Sequence, residues 1–291
     1  MPSLGRFLTR DTWDGDANRP MSYNRWSYVG GNPINYADPS GLILPGEESR
    51  EAEGILFILR TEYNVNIIKD WGYRFDVTIP YSLVPIPGDV DCYWRKGNWR
   101  NISELELTLK AVGDMATAMG GPGRFRAAMK GQTTTLLRST QETILDWGAL
   151  TIFSGIIIIP NDVFENGEVW GKGTIVHELS HVWDYWHRFM LSSKMNSLTK
   201  SHKYVCQNGQ PKFYNCSWVY DATIEGAPTI YAGPDQRSNP REDWSESVTV
   251  YVYPEYKEEE RKSSSGEISK SLGEIRKSFI RGVIMDLPIS P

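Results

Sequence analysis

The stretch Thr174-Ile175-Val176-His177-Glu178-Leu179-Ser180-His181-Val182-Trp183-Asp184 constrains this chain more than any other. Residues four apart on an α-helix lie one above the other on the same face. As a helix, the stretch points the imidazoles of His177 and His181 at one place. Glu178 sits beside them, where a carboxylate can take a proton from a metal-activated water. The flanks are helical in pattern. Leu179, Val182, Trp183, Trp186 and Met190 recur at the spacing of a buried stripe. The competing reading is a core helix that spells His-Glu-x-x-His by chance, and context decides between the two.

Two histidines leave a catalytic zinc one protein ligand short. The chain has four histidines in all, and the other two are His187 and His202. His187 lies too far along the same helix to share an ion with His181. His202 follows in a Lys/Ser-rich segment with no supporting pattern. Glutamate is the better source. Arg241-Glu242-Asp243-Trp244-Ser245-Glu246-Ser247-Val248 opens a second helix, with Val248, Tyr251 and Val252 on its apolar face. Glu242 and Glu246 are four apart and share a side. One can bind the metal while the other holds a ligand imidazole from behind. Read without the first motif, the same acids simply satisfy a helix N-terminus. Asp184 is a candidate outer support for a ligand, or an exposed helix charge.

The rest of the chain reads as α+β. Its 291 residues suit one large or two modest domains, and its net charge of −5 carries no dominating Lys/Arg block. Neither nucleic acid nor an anionic membrane is therefore an expected partner. Arg124, Arg126, Lys130 and Arg138 form a locally basic segment that reads as a solvated face. The longest apolar run, residues 152–159, is far too short to span a membrane. The first residues lack the basic-then-apolar order of a signal peptide. Of three cysteines, Cys92 stands alone, while Cys206 and Cys216 bracket a polar loop that a disulfide can close.

In chain order, Ala52, Ile55, Leu56, Ile58 and Leu59 predict an amphipathic helix, and residues 65–70 and 73–81 predict strands. Residues 99–119 predict a helix opened by a Ser103-x-x-Glu106 capping box, with Leu105, Leu109, Val112 and Ala116 facing inward. Residues 124–146 stay open between a short helix and strands. Residues 150–160 predict one continuous buried strand, and 161–172 a polar connection into the motif helix. Residues 257–262 are charged, and 263–266 read as a flexible link. Leu272, Ile275, Phe279, Ile280 and Val283 predict a last amphipathic helix packed back on the metal domain.

Residues 1–42 read differently: short aromatic strand material broken by turns. Gly5, Arg6, Phe7 and Asp11, then Tyr28, Val29, Asn32 and Pro33, then Asp38, Pro39 and Gly41 resemble the end of the Rhs/YD-repeat-associated core. Trp26 stands where that family usually has Tyr. The resemblance implies that 43–291 is a variable C-terminal module, in that family often a toxin paired with an immunity protein. Such a module is secreted or delivered to a target, although an unexported chain stays in the producer's cytoplasm.

His-Glu-Leu-Ser-His followed by Glu-Asp-Trp-Ser-Glu resembles gluzincins of the anthrax-lethal-factor-like type, with Ser245 in place of the usual Ala. This implies a zincin-like metallopeptidase: a mainly helical metal site beside a small mixed sheet whose edge strand borders the substrate cleft. One Zn2+ would be held by His177, His181 and Glu242, with Glu178 as general base and Glu246 behind a ligand. The longer spacing between the motifs leaves Glu242 and Glu246 exchangeable. A tyrosine ahead of the glutamate helix donates to the oxyanion in that group, and Tyr231 is the candidate. The implied activity is hydrolysis of peptide bonds in a protein or peptide substrate. The alternative is a non-catalytic Rhs-tip binding module whose metal site is decayed or structural. A nuclease tip is weakly supported, because no His-Asn-His-like cluster or basic groove is legible.

Overall fold

The computed structural model describes residues 47–68, 99, 102–139, 149–152, 155–206, 216–221, 224–229, 231–233, 238–256 and 272–288. Residues 1–42, the strand expected at 73–81, Cys92 and the link at 263–266 lie outside them. The chain forms two compact units. The first takes in residues 47–58 at the start of helix α1 and 102–106 at the start of α2. Apart from those two helix starts, everything below concerns the second.

Helix α1 (Glu47–Tyr63) carries the amphipathic pattern expected, with Leu59 fully buried. Asn64 ends it at φ 55°, a left-handed conformation that asparagine tolerates. Strand β1 (Val65–Ile67) follows, shorter than the strand expected at 65–70. Helix α2 (Ile102–Ala118) buries Val112, Met115 and Ala116, while Gly120 and Gly121 at positive φ end it. The helix starts at Ile102, next to the Ser103 of the expected capping box. In the open segment after it lie helix α3 (Pro122–Ala128) and strand β2 (Thr134–Arg138), and its last part, 140–146, lies outside the described residues.

The run at 150–160 is not one strand. It folds into β3 (Leu150–Ile152) and β4 (Ile156–Ile159), which pair antiparallel. Gly155 sits in the connection at φ 77°, which a β-branched residue would resist. A Cβ there would also stand 3.3 Å from the Thr133 carbonyl. The sheet order is β1-β2-β4-β3. β1, β2 and β4 run parallel, and β3 is the antiparallel edge. Ile157, Ile158 and Ile159 are buried, as a central strand covered on both faces requires. Arg138 is buried as well, not solvated: it donates to the Ile159 carbonyl, and its guanidinium lies 4.8 Å from the Phe164 ring centre. Its long stem lets a cation end a core strand once the head finds acceptors.

The expected polar connection holds a short helix, α4 (Asp162–Glu165), and the motif helix α5 starts early, at Glu168, running to Trp186. Residues 171–180 of α5 are all buried, so this helix lies inside the molecule rather than on it. Its face toward residue 256 is closely fitted, since a Cβ on Gly173 would run into the Tyr256 ring. The expected stripe stops short. Arg188 and Phe189 turn left-handed, and Met190 opens helix α6 (Met190–Thr199), where it is half exposed.

Strands β5 (His202–Cys206) and β6 (Cys216–Tyr220) form an antiparallel hairpin. Cys206 and Cys216 are register partners and are joined by a disulfide. Helix α7 (Pro240–Val252) packs along α5 and α6. The final helix, α8 (Glu274–Met285), packs back on α6 and α7, as its periodicity predicts. No described helix is long and apolar enough to cross a membrane.

Candidate metal centre

The site is built where α5 and α7 cross. Trp183 and Trp244 are fully buried and meet edge to face, with ring centres 5.1 Å apart. The Trp244 indole N–H also donates to the Ser180 carbonyl at 3.0 Å. The pair fixes how far α7 is slid along α5. Asn239 caps α7, its side-chain oxygen accepting from the Arg241 and Glu242 amides, and Pro240 fills the first turn. The cap serves the helix terminus, which leaves the Glu242 carboxylate for the imidazoles.

Three donor atoms then meet. His177 Nε2 and His181 Nε2 are 3.0 Å apart. Glu242 Oε2 is 3.2 Å from the first and 3.3 Å from the second. A tetrahedral ion with bonds of about 2.0–2.1 Å separates its ligand atoms by roughly 3.3 Å. The triangle therefore matches one face of such a shell, and a two-nitrogen, one-oxygen donor set is one zinc accepts. Among the described residues this is the group of side chains able to hold a metal ion.

Glu246 occupies a different place from Glu242. It is fully buried, and its Oε1 stands 3.0 Å from His177 Nδ1, on the far side of the ring from the other ligand atoms. That approach is off the straight line of a full hydrogen bond. Its Oε2 accepts from the Thr229 hydroxyl at 2.7 Å. The two glutamates left exchangeable by spacing are thus separated by position. One faces both Nε2 atoms, and the other backs one ring.

The charges follow. Burial alone would lower the His177 pKa, but the carboxylates of Glu242 and Glu246 outweigh it and hold the imidazole up at about 10. Burial pushes the Glu242 carboxyl up, yet the two histidines pull it well below the usual carboxylate range.

Glu178, next to His177 on α5, is buried. Its Oε2 accepts from the Thr151 hydroxyl at 2.6 Å, and the same hydroxyl is 3.0 Å from the Glu178 carbonyl. Thr151 belongs to the edge strand β3, so the sheet holds this carboxylate directly. Nothing in the spacing of Thr151 announced that contact. Tyr231 lies in the turn before α7, its ring centre 6.2 Å from that of His177.

Other candidates sit elsewhere. Asp184 is neither an exposed charge nor a support for a ligand imidazole. It is buried, and its Oδ1 accepts from the Leu191 and Ser192 amides, satisfying the start of α6. One extra turn of α5 carries it past the histidines to the break that α6 needs filled. His187 caps the end of α5 and contacts the Ala128 carbonyl. His202 is buried between the Ser201 and Ser238 hydroxyls, away from the triad.

No protein-family model, curated protein or solved structure matches this chain.

Proposed function

We propose that this chain is a zinc-dependent endopeptidase. The observation that carries the proposal is the triangle of His177 Nε2, His181 Nε2 and Glu242 Oε2, with a second, buried carboxylate on Glu178, next to His177 on α5. A structural metal site wants four protein ligands and no spare base. Here three donors converge, and Glu178 is held ready by Thr151.

When bound, zinc supplies Lewis acidity that makes water nucleophilic near neutral pH and polarises a carbonyl. Glu178 accepts the proton of the attacking water and delivers it to the leaving nitrogen of the peptide bond. Thr151 keeps the carboxylate turned to that task. Glu246 holds the His177 ring so that Nε2 faces the site. Tyr231 donates its hydroxyl to the developing oxyanion. Strand β3, which among the described residues pairs with β4 alone, offers its other edge to an extended peptide.

The Rhs-like residues 1–42 support reading 43–291 as the effector tip of a polymorphic toxin system, delivered out of its producer and countered there by an immunity protein. The Cys206–Cys216 disulfide fits a chain that meets an oxidising compartment.

Zinc content of the purified protein tests the site. The expectation is about one ion per chain, and none in His177→Ala. Glu178→Gln should keep the ion yet lose at least about 100-fold in peptide hydrolysis. A wild-type chain that takes up no zinc, even when supplied with it, would return the binding-module reading to first place.

A further inference from the structure

Two contacts hold the described residues between the hairpin and α7. The Tyr220 hydroxyl at the end of β6 accepts from the Ala227 amide at 2.7 Å. The Ser238 hydroxyl donates to the Ala232 carbonyl at 2.6 Å, and His202 Nε2, at the start of β5, lies 2.7 Å from the same hydroxyl. Both strands of the hairpin therefore grip these residues, and the disulfide ties the two strands together. Close packing reinforces the grip, since a Cβ on Gly233 would overlap the Ala227 methyl.

Between these contacts sits Thr229, fully buried. Its hydroxyl has one proton to give and two lone pairs. The Ala232 amide donates to it at 3.2 Å, and it donates onward to Glu246 Oε2 at 2.7 Å. With one lone pair taken by an amide, the hydroxyl proton is directed at the carboxylate. Glu246 in turn reaches His177 Nδ1 with its other oxygen. The Thr229 hydroxyl fixes the Oε2 end of this carboxylate, which sets the angle at which Oε1 meets the imidazole.

We propose that Thr229 is a positioning residue of the metal centre, acting through Glu246 to fix the His177 ring, with the disulfide-closed hairpin as the strut that holds Thr229 in place. The inference rests on the metal-site reading above and deepens it. Outer partners of ligand histidines typically tune metal affinity by 10–100-fold. Thr229 is one bond further out, so its share is about tenfold.

The test is zinc affinity, measured on the full chain by competition with a chromogenic chelator, with the thermal midpoint of the zinc-stripped protein as control. Thr229→Val should bind zinc about tenfold more weakly, and Thr229→Ser, which keeps the hydroxyl, should stay within about twofold of wild type. Glu246→Ala, which removes both oxygens, should lose roughly 10–100-fold, and adding Thr229→Val to it should cost nothing more, because both changes cut the same chain of contacts. Thr229→Val that matches wild type, or that costs as much on top of Glu246→Ala as alone, would overturn the proposal while leaving the metal site standing. A lowered midpoint with unchanged zinc affinity would overturn it too, by making the threonine purely structural. If Thr229→Val does not fold, Thr229→Ala against Thr229→Ser carries the same comparison. Wild-type protein that binds no zinc would sink the site itself and this inference with it.

Discussion

At the scale of single residues, the site is an arrangement of protons waiting to be displaced. His177 has its pKa raised to about 10, so it carries a proton at pH 7. Its pairing with the two glutamates stabilises the fold fully below the ordinary histidine value of about 6.5, and is lost as pH rises through about 10. A metal needs the neutral ring, so zinc uptake at pH 7 should expel that proton. Glu242 is already ionised at that pH and gives up none. Calorimetry in buffers of different ionisation enthalpy should report about one proton released per zinc at pH 7, and affinity should climb with pH until His177 is neutral. Zero proton release would mean the ring is neutral before the metal arrives. The two glutamates should also part company under mutation. Glu242→Ala, which deletes a donor atom, should cost more zinc affinity than Glu246→Ala, which deletes a support. The reverse order would exchange their roles.

At the scale of elements, what holds α7 against α5 decides whether the triad exists. Trp183 and Trp244 lock the contact from inside. From outside, α8 locks it with a charge. Arg276 falls on the buried face of an otherwise amphipathic helix and is fully enclosed. Its Nε and one terminal nitrogen donate to the two oxygens of Asp243 at 3.0 and 2.9 Å. The other nitrogen reaches Glu225 and the Gly226 carbonyl. Glu225 also takes the Ile275 and Arg276 amides, capping α8. Asp243 is the residue next to Glu242, so this fork steadies the metal-side turn of α7. Removing one member of a buried ion pair strands the other, which costs about 3–5 kcal/mol. Arg276→Ala should therefore unfold at a lower denaturant midpoint by that order, and should lose zinc affinity with it. A near-neutral result would show that water reaches Asp243 as soon as the guanidinium leaves.

At the scale of the whole molecule, the metal-site helix α5 is buried over residues 171–180 and packs against β3, β4, α4, α6 and α7. Some sequence expectations shifted. The first turn of α5, Glu168 to Trp170, lies ahead of the buried stretch and between Gly167 and Gly171, so in sequence it reads as more of the polar connection. A run of isoleucines reads the same whether it is one strand or part of two, and only Gly155 marks the turn between β3 and β4. Arg138 reads as a surface charge in the sequence, because periodicity cannot see an acceptor brought from elsewhere in the chain.

The sequence alone determined the local geometry. His177 and His181 share a helical face because they are four apart, Glu242 and Glu246 likewise, and the cysteines bracket a loop short enough for a disulfide to close. These are consequences of a fixed helical repeat and of loop length, and no fold is needed to derive them. Tertiary structure decided everything that joins distant segments. It chose Glu242 over Glu246 to face both imidazoles, sent Asp184 to the start of α6 and His202 to the hairpin root, and brought Thr151 to Glu178 and Thr229 to Glu246. The physical reason is that a hydroxyl or carboxylate acts by direction and distance across a packed interface, and neither is encoded in its own neighbours along the chain.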